Sequence, residues 1–186
     1  MDEDEILMEA EDKMEKSLVA FQQEILHIRT GRASVGLIEH LQVEAYGSKM
    51  PLNQMAKLSA PEARLLTVQP FDKTQIAVIE KAIQSSGLEL NPANDGTLIR
   101  IPMPELSEER RRDYVKLVGK LVEDARVSIR NVRRHEMDNV KKLQKDGDLP
   151  EDDAHRVSDS IQKLTDQFIA KVEAAFKAKE ADIMEV

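Results

Sequence analysis

The chain has 186 residues, 41% of them hydrophobic, which is enough for one domain or two small ones with packed cores. It has no cysteine and no tryptophan, so disulfides, thiolate metal sites and cysteine nucleophiles are excluded and the cores must be aliphatic. The formal net charge of -8 argues, as an average, against a nucleic-acid partner.

The chain begins with an acidic segment, Met1 to Glu5, where a secretory signal would be basic. No stretch approaches the ~18 apolar residues that a membrane-spanning helix requires. We therefore expect a cytoplasmic protein.

Positive charge is concentrated in one segment of the sequence. Residues 106–145 hold 12 basic and 7 acidic residues, a net charge of +5. Residues 1–30 hold 3 basic and 9 acidic residues, and residues 146–186 hold 5 and 11, so each of these two segments has a net charge of -6. The average therefore conceals a basic segment suited to binding a polyanion, above all RNA.

The first predicted element is an amphipathic helix of about 25 residues that ends at Gly31, because glycine is a natural helix terminator. Its apolar residues recur at three- and four-residue steps: Ile6, Leu7, Met14, Leu18, Phe21, Ile25 and Ile28.

From Leu37 to Pro104 the hydrophobic period falls towards two, which predicts a small module of short strands. Tyr46 to Lys49 predicts a turn, and Asn94 to Gly96 predicts a hairpin turn between strands at Leu88 to Leu90 and Leu98 to Ile101. The other predicted elements are a strand at Leu66 to Gln69, a helix from Asp72 to Ser86 that ends before Gly87, and an irregular connector at Pro102 to Pro104.

Ser107 is a predicted N-cap, and the uninterrupted run that follows it predicts a helix of almost forty residues, to Lys145. Gly147 to Pro150 predicts a tight turn. The acidic run Glu151 to Asp153 then opens a final long helix, whose buried face is predicted to comprise Val157, Ile161, Leu164, Phe168, Ile169, Val172 and Phe176.

These elements predict an α+β protein. Residues 1–30 and 105–186 are expected to form a long antiparallel three-helix bundle, and residues 31–104 an inserted small β/α/β domain. Two adjacent connectors would join the domains, and this arrangement permits a hinge.

The long helix after Ser107 has two distinct faces when its residues are placed ~100° apart. The apolar face, which is predicted to contact the bundle, consists of Val118, Leu121, Val122, Ala125, Ile129, Val132, Val140 and Leu143. The basic face consists of Arg112, Lys116, Arg126, Arg130, Arg133, Arg134 and Lys141. Four arginines crowd into little more than two turns, and the planar guanidinium suits phosphate better than a lysine ammonium does.

Three interpretations of the basic face remain open at this point. It binds RNA, it is a solvated face paired with acidic neighbours such as Glu123, or it pairs with an acidic partner protein as an adaptor does. An enzyme acting on RNA would need an acid-base or metal set. The four histidines are widely scattered, and neither a phosphate-binding loop nor a nucleophile elbow is present, so we expect no catalysis, no metal site and no cofactor.

Motifs spread over essentially the whole chain resemble those of the bacterial-type ribosome recycling factor family. They are Ile28 to Ser34, Leu90 to Pro92, Asn94 to Gly96, Leu106 to Arg111, Ala125 to Arg134, Pro150 to Asp153 and Gln162 to Asp166. The resemblance implies an L-shaped molecule with the two domains predicted above. It also implies a protein, expected to be monomeric, that binds the post-termination ribosome across the A and P sites of the large subunit. With elongation factor G and GTP it would split the subunits and release mRNA and tRNA.

The resemblance also implies roles for particular residues. It places Arg130 and Arg133 first, and Arg126 and Arg134 second, as contacts to large-subunit ribosomal RNA. Arg29 and Arg32 flank the first connector and would contact RNA or fix the interdomain angle. The implied hinge residues are Thr30, Gly31, Pro102 and Pro104.

Overall fold

A computed structural model of the chain describes residues 3–185. Four α-helices lie in that range: α1 (Glu3–Leu26), α2 (Ile76–Gln84), α3 (Glu108–Asp146) and α4 (Glu151–Met184). Six strands lie in the same range: β1 (Gln42–Ala45), β2 (Ser48–Pro51), β3 (Ala56–Glu62), β4 (Leu65–Pro70), β5 (Ala93–Asn94) and β6 (Ile99–Pro102). The chain is therefore α+β, as the sequence predicts.

By packing, the described residues form two compact units. The helical unit comprises the residues up to Ile25 together with Lys116–Glu180, and the mixed unit comprises Leu26–Val115 with the residues from Ala181 onwards. All three boundaries fall inside helices, one at the last residue of α1 and the others within α3 and α4. The domains predicted from the sequence, residues 1–30 with 105–186 and residues 31–104, stay a prediction.

In the helical unit, α1, α3 and α4 bury one apolar face each. The buried residues recur at helical spacing: Ile6, Ala10, Met14, Leu18, Phe21 and Ile25 on α1, Val118, Val122, Ala125, Ile129 and Val140 on α3, and Ala154, Val157, Ile161, Phe168 and Val172 on α4. One cluster joins Ile6, Val140 and Val157, so all three helices meet in a common core. The predicted apolar faces are confirmed, since every residue assigned to them on α3 and α4 is buried or half-buried.

The ends of α3 follow the predicted local signals. Ser107 caps the helix, since its Oγ accepts a hydrogen bond from the Arg110 backbone amide at 3.2 Å. After the helix, Gly147 adopts a φ of +83°, and the Asp148 amide donates to the Leu143 carbonyl at 3.0 Å. This turn lets α4 begin within a few residues of the end of α3.

The mixed unit contains two antiparallel sheets. Strands β1 and β2 form a hairpin, and the second sheet has the order β3-β4-β6-β5. The hairpin turn uses Tyr46 (φ +54°) and Gly47 (φ +77°), and paired positive φ values suit the right-handed twist of the strands. Helix α2 and the inner faces of the sheets share a core that includes Val43, Leu66, Ile79, Ile83, Ile99 and Ile101.

The predicted turn at Asn94 to Gly96 is confirmed, but the strand that precedes it is β5 (Ala93–Asn94), which pairs with β6, and not Leu88 to Leu90. The Asp95 carboxylate accepts hydrogen bonds from the backbone amides of Leu98, at 2.9 Å, and Thr97, at 3.0 Å. These bonds, with those from the Thr97 hydroxyl and Arg100, lower the pKa of Asp95 far below its usual range.

Three local predictions are wrong. Helix α1 ends at Leu26, and Ile28 is buried outside the helix, so apolar spacing continues past the last helical turn. Gly31 therefore does not terminate the helix, and it does not have a positive φ. Leu88 to Leu90 forms no strand, because Glu89 has a φ of +57°. Pro102 is not irregular: it is the last residue of β6, paired with Leu65.

No helix in the described part of the chain is long and apolar enough to cross a membrane. In the same part, no group of three or more His, Asp and Glu side chains is placed to hold a metal ion.

Candidate nucleic-acid interface

Helix α3 presents the predicted basic face along its solvent side. Arg130 and Arg134 are exposed, whereas Arg126 and Arg133 are half-buried. The four guanidinium groups differ in their partners, and these partners determine how much positive charge is left for a ligand.

Arg126 is held between two carboxylates. Its Nη1 donates to Glu123 Oε2 at 3.1 Å, and its Nη2 donates to Glu173 Oε1, on α4, at 2.7 Å. The bond to Glu123 raises the pKa of Arg126, with a further contribution from Glu173 that partial burial opposes. The charge of Arg126 is therefore compensated within the helical unit.

Arg130 has a weaker internal partner. Its Nη1 lies 3.8 Å from Glu123 Oε1, which is within ion-pair range but too long for a hydrogen bond. Its side chain is 47% exposed, so the guanidinium is open to solvent and to a ligand.

Arg133 has a neutral partner. Its Nη1 donates to the Gln162 Oε1 atom, on α4, at 3.2 Å. The Gln162 amide in turn donates from Nε2 to Asp166 Oδ1 at 3.0 Å. This chain of contacts orients the guanidinium but leaves its positive charge without a carboxylate in direct contact.

Arg134 forms no ion pair or side-chain hydrogen bond with any of residues 3–185, and neither does Lys116. At the two ends of the face the charge is partly compensated, because Arg112 pairs with Glu108 and Lys141 lies 4.0 Å from Asp138. Among the arginines of the face, Arg130, Arg133 and Arg134 are therefore the ones without a carboxylate within hydrogen-bond distance.

Arg29 lies inside the mixed unit. It is only 3% exposed, and its Nη2 donates to the Pro104 carbonyl. Burial lowers the pKa of Arg29, although Tyr114 and Glu89 partly oppose that shift. The guanidinium is buried in this conformation, and both roles expected for Arg29 from the sequence, an RNA contact or a constraint at the connector, stay predictions.

Arg32 is exposed and pairs with Glu185. It lies beside Thr30, whose hydroxyl contacts both the amide and the carbonyl of Arg32 at 3.3 Å. A Cβ atom at Gly31 would lie 3.4 Å from the Glu185 carbonyl oxygen, which is about ordinary van der Waals contact. On the second connector, the Met103 amide donates to the Arg64 carbonyl at 2.7 Å, so pairing with β4 continues past Pro102.

Sequence reasoning missed a charged group on the inner face of α3. Glu136 is 0% exposed, and its carboxylate accepts hydrogen bonds from Lys13 Nζ at 2.7 Å and from Asn139 Nδ2 at 3.0 Å. Burial by itself would raise the pKa of Glu136, but the bonds from Lys13, Asn139 and His135 outweigh it and lower the pKa. Lys13 lies 123 residues away in the sequence, so no local pattern could indicate the pair.

The fold and this interface define a class: an α+β protein with a long helix whose outer face carries partly uncompensated arginines. The chain belongs to the ribosome recycling factor family, whose model matches residues 21–184. Its role therefore lies in protein biosynthesis, in the recycling of ribosomes.

Related proteins match over nearly the full length. The chain is 52% identical to the ribosome-recycling factor of Halalkalibacterium halodurans and 51% identical to that of Bacillus mycoides, in each case over 98% of both chains. A solution structure of the ribosome recycling factor has a TM-score of 0.80 and 40% identity, covering 100% of this chain and 99% of that one.

A second solved structure is a model of the Thermus thermophilus ribosome recycling factor and Escherichia coli elongation factor G bound to the E. coli post-termination complex. That chain has a TM-score of 0.71 and 44% identity to this one, and the match covers 100% of both chains.

Proposed function

We propose that this protein binds the post-termination ribosome at the A and P sites of the large subunit. With elongation factor G and GTP it promotes dissociation of the subunits and release of mRNA and tRNA. The similarity to a recycling factor bound with elongation factor G to a post-termination complex supports this proposal. The structural observation that carries it is the positive charge of Arg130, Arg133 and Arg134, none of which has a carboxylate within hydrogen-bond distance.

Large-subunit ribosomal RNA is the proposed ligand of this surface. Arg130 and Arg133 are the primary contacts, since each presents N–H donors that no carboxylate occupies within hydrogen-bond distance. Arg134 adds charge beside them. Arg126 contributes less, because Glu123 and Glu173 already accept from both of its terminal nitrogens.

This protein has no catalytic step in the proposal, and the GTP is hydrolysed by elongation factor G. In the proposal, the connectors bend at the predicted hinge residues Thr30, Gly31, Pro102 and Pro104 when elongation factor G acts on the small domain of residues 31–104. Arg29, hydrogen-bonded to the Pro104 carbonyl, and Arg32, paired with Glu185, hold the chain next to these connectors.

Polysome breakdown with purified elongation factor G and GTP tests the function. Monosomes and free subunits should accumulate only when this protein is present. The double variant Arg130→Ala with Arg133→Ala should lose most of the activity. The matched control Arg156→Ala removes an exposed arginine from α4, where it pairs with Asp153 and Glu3, and should retain the activity. Breakdown that proceeds equally without the protein contradicts the recycling function.

A further inference from the structure

Glu123 interrupts the basic face of α3. With residues placed ~100° apart, it falls among the arginines of that face, whereas Asp113, Asp124, Glu136 and Asp138 all fall outside it. Within residues 112–141, all of which the structure describes, it is the one acidic residue on this face.

Each oxygen of the Glu123 carboxylate faces a different arginine. Oε2 accepts from Arg126 at 3.1 Å, and Oε1 lies 3.8 Å from Arg130. Arg126 does not depend on Glu123 for a partner, because Glu173 accepts from its other terminal nitrogen at 2.7 Å. Pairing with Arg126 alone therefore does not account for the position of Glu123 beside Arg130.

From this geometry we propose that Glu123 is a specificity-determining residue of the RNA-binding surface, which rests on the function proposed above. Its carboxylate repels any phosphate that approaches Arg130 from the Glu123 side. Phosphates can reach Arg130 only from the side of Arg133 and Arg134, where no carboxylate contacts the guanidinium groups.

This arrangement favours structured RNA over flexible polyanions. A folded RNA holds its phosphates in fixed positions, so it can place them beside Arg133 and avoid Glu123 altogether. A flexible chain samples every direction of approach and is repelled in those near the carboxylate. The protein can thus carry a row of arginines without binding unrelated RNA to the same extent.

The test compares Glu123→Gln with Asp124→Asn. Both substitutions remove one negative charge from adjacent exposed positions of α3, but Asp124 lies off the basic face. Affinity for polyuridylic acid, a flexible RNA, is measured by filter binding at one fixed salt concentration. Glu123→Gln should raise this affinity about 5-fold, because it removes roughly 1 kcal/mol of repulsion between the carboxylate and a nearby phosphate. Asp124→Asn should raise the affinity by less than about 2-fold, because the Asp124 charge is distant from the bound phosphates and screened by salt.

A second measurement assigns the effect to Arg130. In an Arg130→Ala background, Glu123→Gln should change the affinity for polyuridylic acid by less than about 2-fold. Glu123→Gln should raise the affinity for purified large subunits less than it raises the affinity for polyuridylic acid. The affinity for large subunits divided by the affinity for polyuridylic acid should therefore fall. Nearly unchanged thermal unfolding, followed by circular dichroism, shows that the variants are folded.

Three outcomes overturn the proposal: an equal rise for Glu123→Gln and Asp124→Asn, a rise that persists without Arg130, or an unchanged ratio of affinities. Failure of the parent protein to bind large subunits would contradict the proposed function instead. The polyuridylic acid arm would still decide whether Glu123 controls access to Arg130.

Discussion

On the inner face of α3, Glu136 is fully buried and has three hydrogen-bonding side chains around it, one of them the cation Lys13 from α1. One turn earlier, on the outer face, Arg133 has only a neutral amide as a partner, and Arg134 has none among residues 3–185. The inner charge is satisfied within the protein, so it serves folding. The outer charge is left unsatisfied, so it is available to a ligand.

Breaking the inner pair should have the largest effect. Lys13→Ala leaves the Glu136 carboxylate buried without its cation, and should lower the free energy of unfolding by about 2 to 4 kcal/mol. Urea denaturation measures the change. The matched control is Lys16→Ala on the same helix, whose pair with Asp12 is exposed on both sides, and it should cost less than about 1 kcal/mol. Equal losses would mean that Glu136 does not depend on Lys13.

A substitution on the outer face should weaken ligand binding and leave stability nearly unchanged. Arg133→Ala should weaken binding to large subunits by about 1 to 3 kcal/mol, from the loss of one charge-assisted hydrogen bond, with thermal stability nearly unchanged. Sedimentation of the protein with purified large subunits measures the affinity. Arg156→Ala, the control from the polysome experiment, should bind as the parent does. Parental affinity in Arg133→Ala would remove Arg133 from the surface.

The pH dependence of stability should come from the inner face. The pKa of Glu136 lies below its ordinary value of 4.5 in the folded protein, so its ionised form is favoured by folding. That contribution is complete above the unfolded pKa and is lost as the pH falls through the folded pKa. The difference in unfolding free energy between the parent and Glu136→Gln should therefore be constant near neutral pH and shrink below about pH 4.5. A difference that grows on acidification would contradict this assignment.

The smallest effect is expected where an arginine of the basic face already has an exposed carboxylate partner. Arg112 pairs with Glu108 one turn away, and both side chains are exposed. Arg112→Ala should change stability by less than about 0.5 kcal/mol, and should weaken large-subunit binding less than Arg133→Ala does. If both substitutions weaken binding equally, compensation by neighbouring carboxylates does not determine which arginines matter.

Local signals explain which elements could be predicted from the sequence. Helices α3 and α4 have long apolar periodicity, a Ser107 cap and a turn at Gly147, and these patterns depend only on neighbouring residues. Strand β3 was not predicted, because its position at the sheet edge leaves Ala56 as its one fully buried residue, so no alternation is visible. Leu90 is buried without belonging to a strand, so the alternation of Leu88, Glu89 and Leu90 wrongly predicts a strand there.

In the candidate site, too, the features set by neighbouring residues could be predicted and those set by tertiary contacts could not. The basic face follows from spacing along one helix, so its members could be identified from the sequence. Their partners could not, because Glu173 and Gln162 lie on α4 and are set by tertiary packing. The burial of Arg29 likewise depends on contacts across the mixed unit, and the carbonyl it binds, that of Pro104, is 75 residues away.

The contact between Arg133 and Gln162 has a consequence for the thermodynamics of binding. A long side chain that is mobile in the free protein loses rotamer entropy when a ligand immobilises it, at about 0.5 to 1.5 kcal/mol per side chain. Gln162 restricts the Arg133 rotamers during folding, and because an amide carries no net charge it does so without neutralising the guanidinium. Arg133 is thus preorganised for the proposed RNA contact, and folding has already taken up part of the entropic cost of immobilising its side chain.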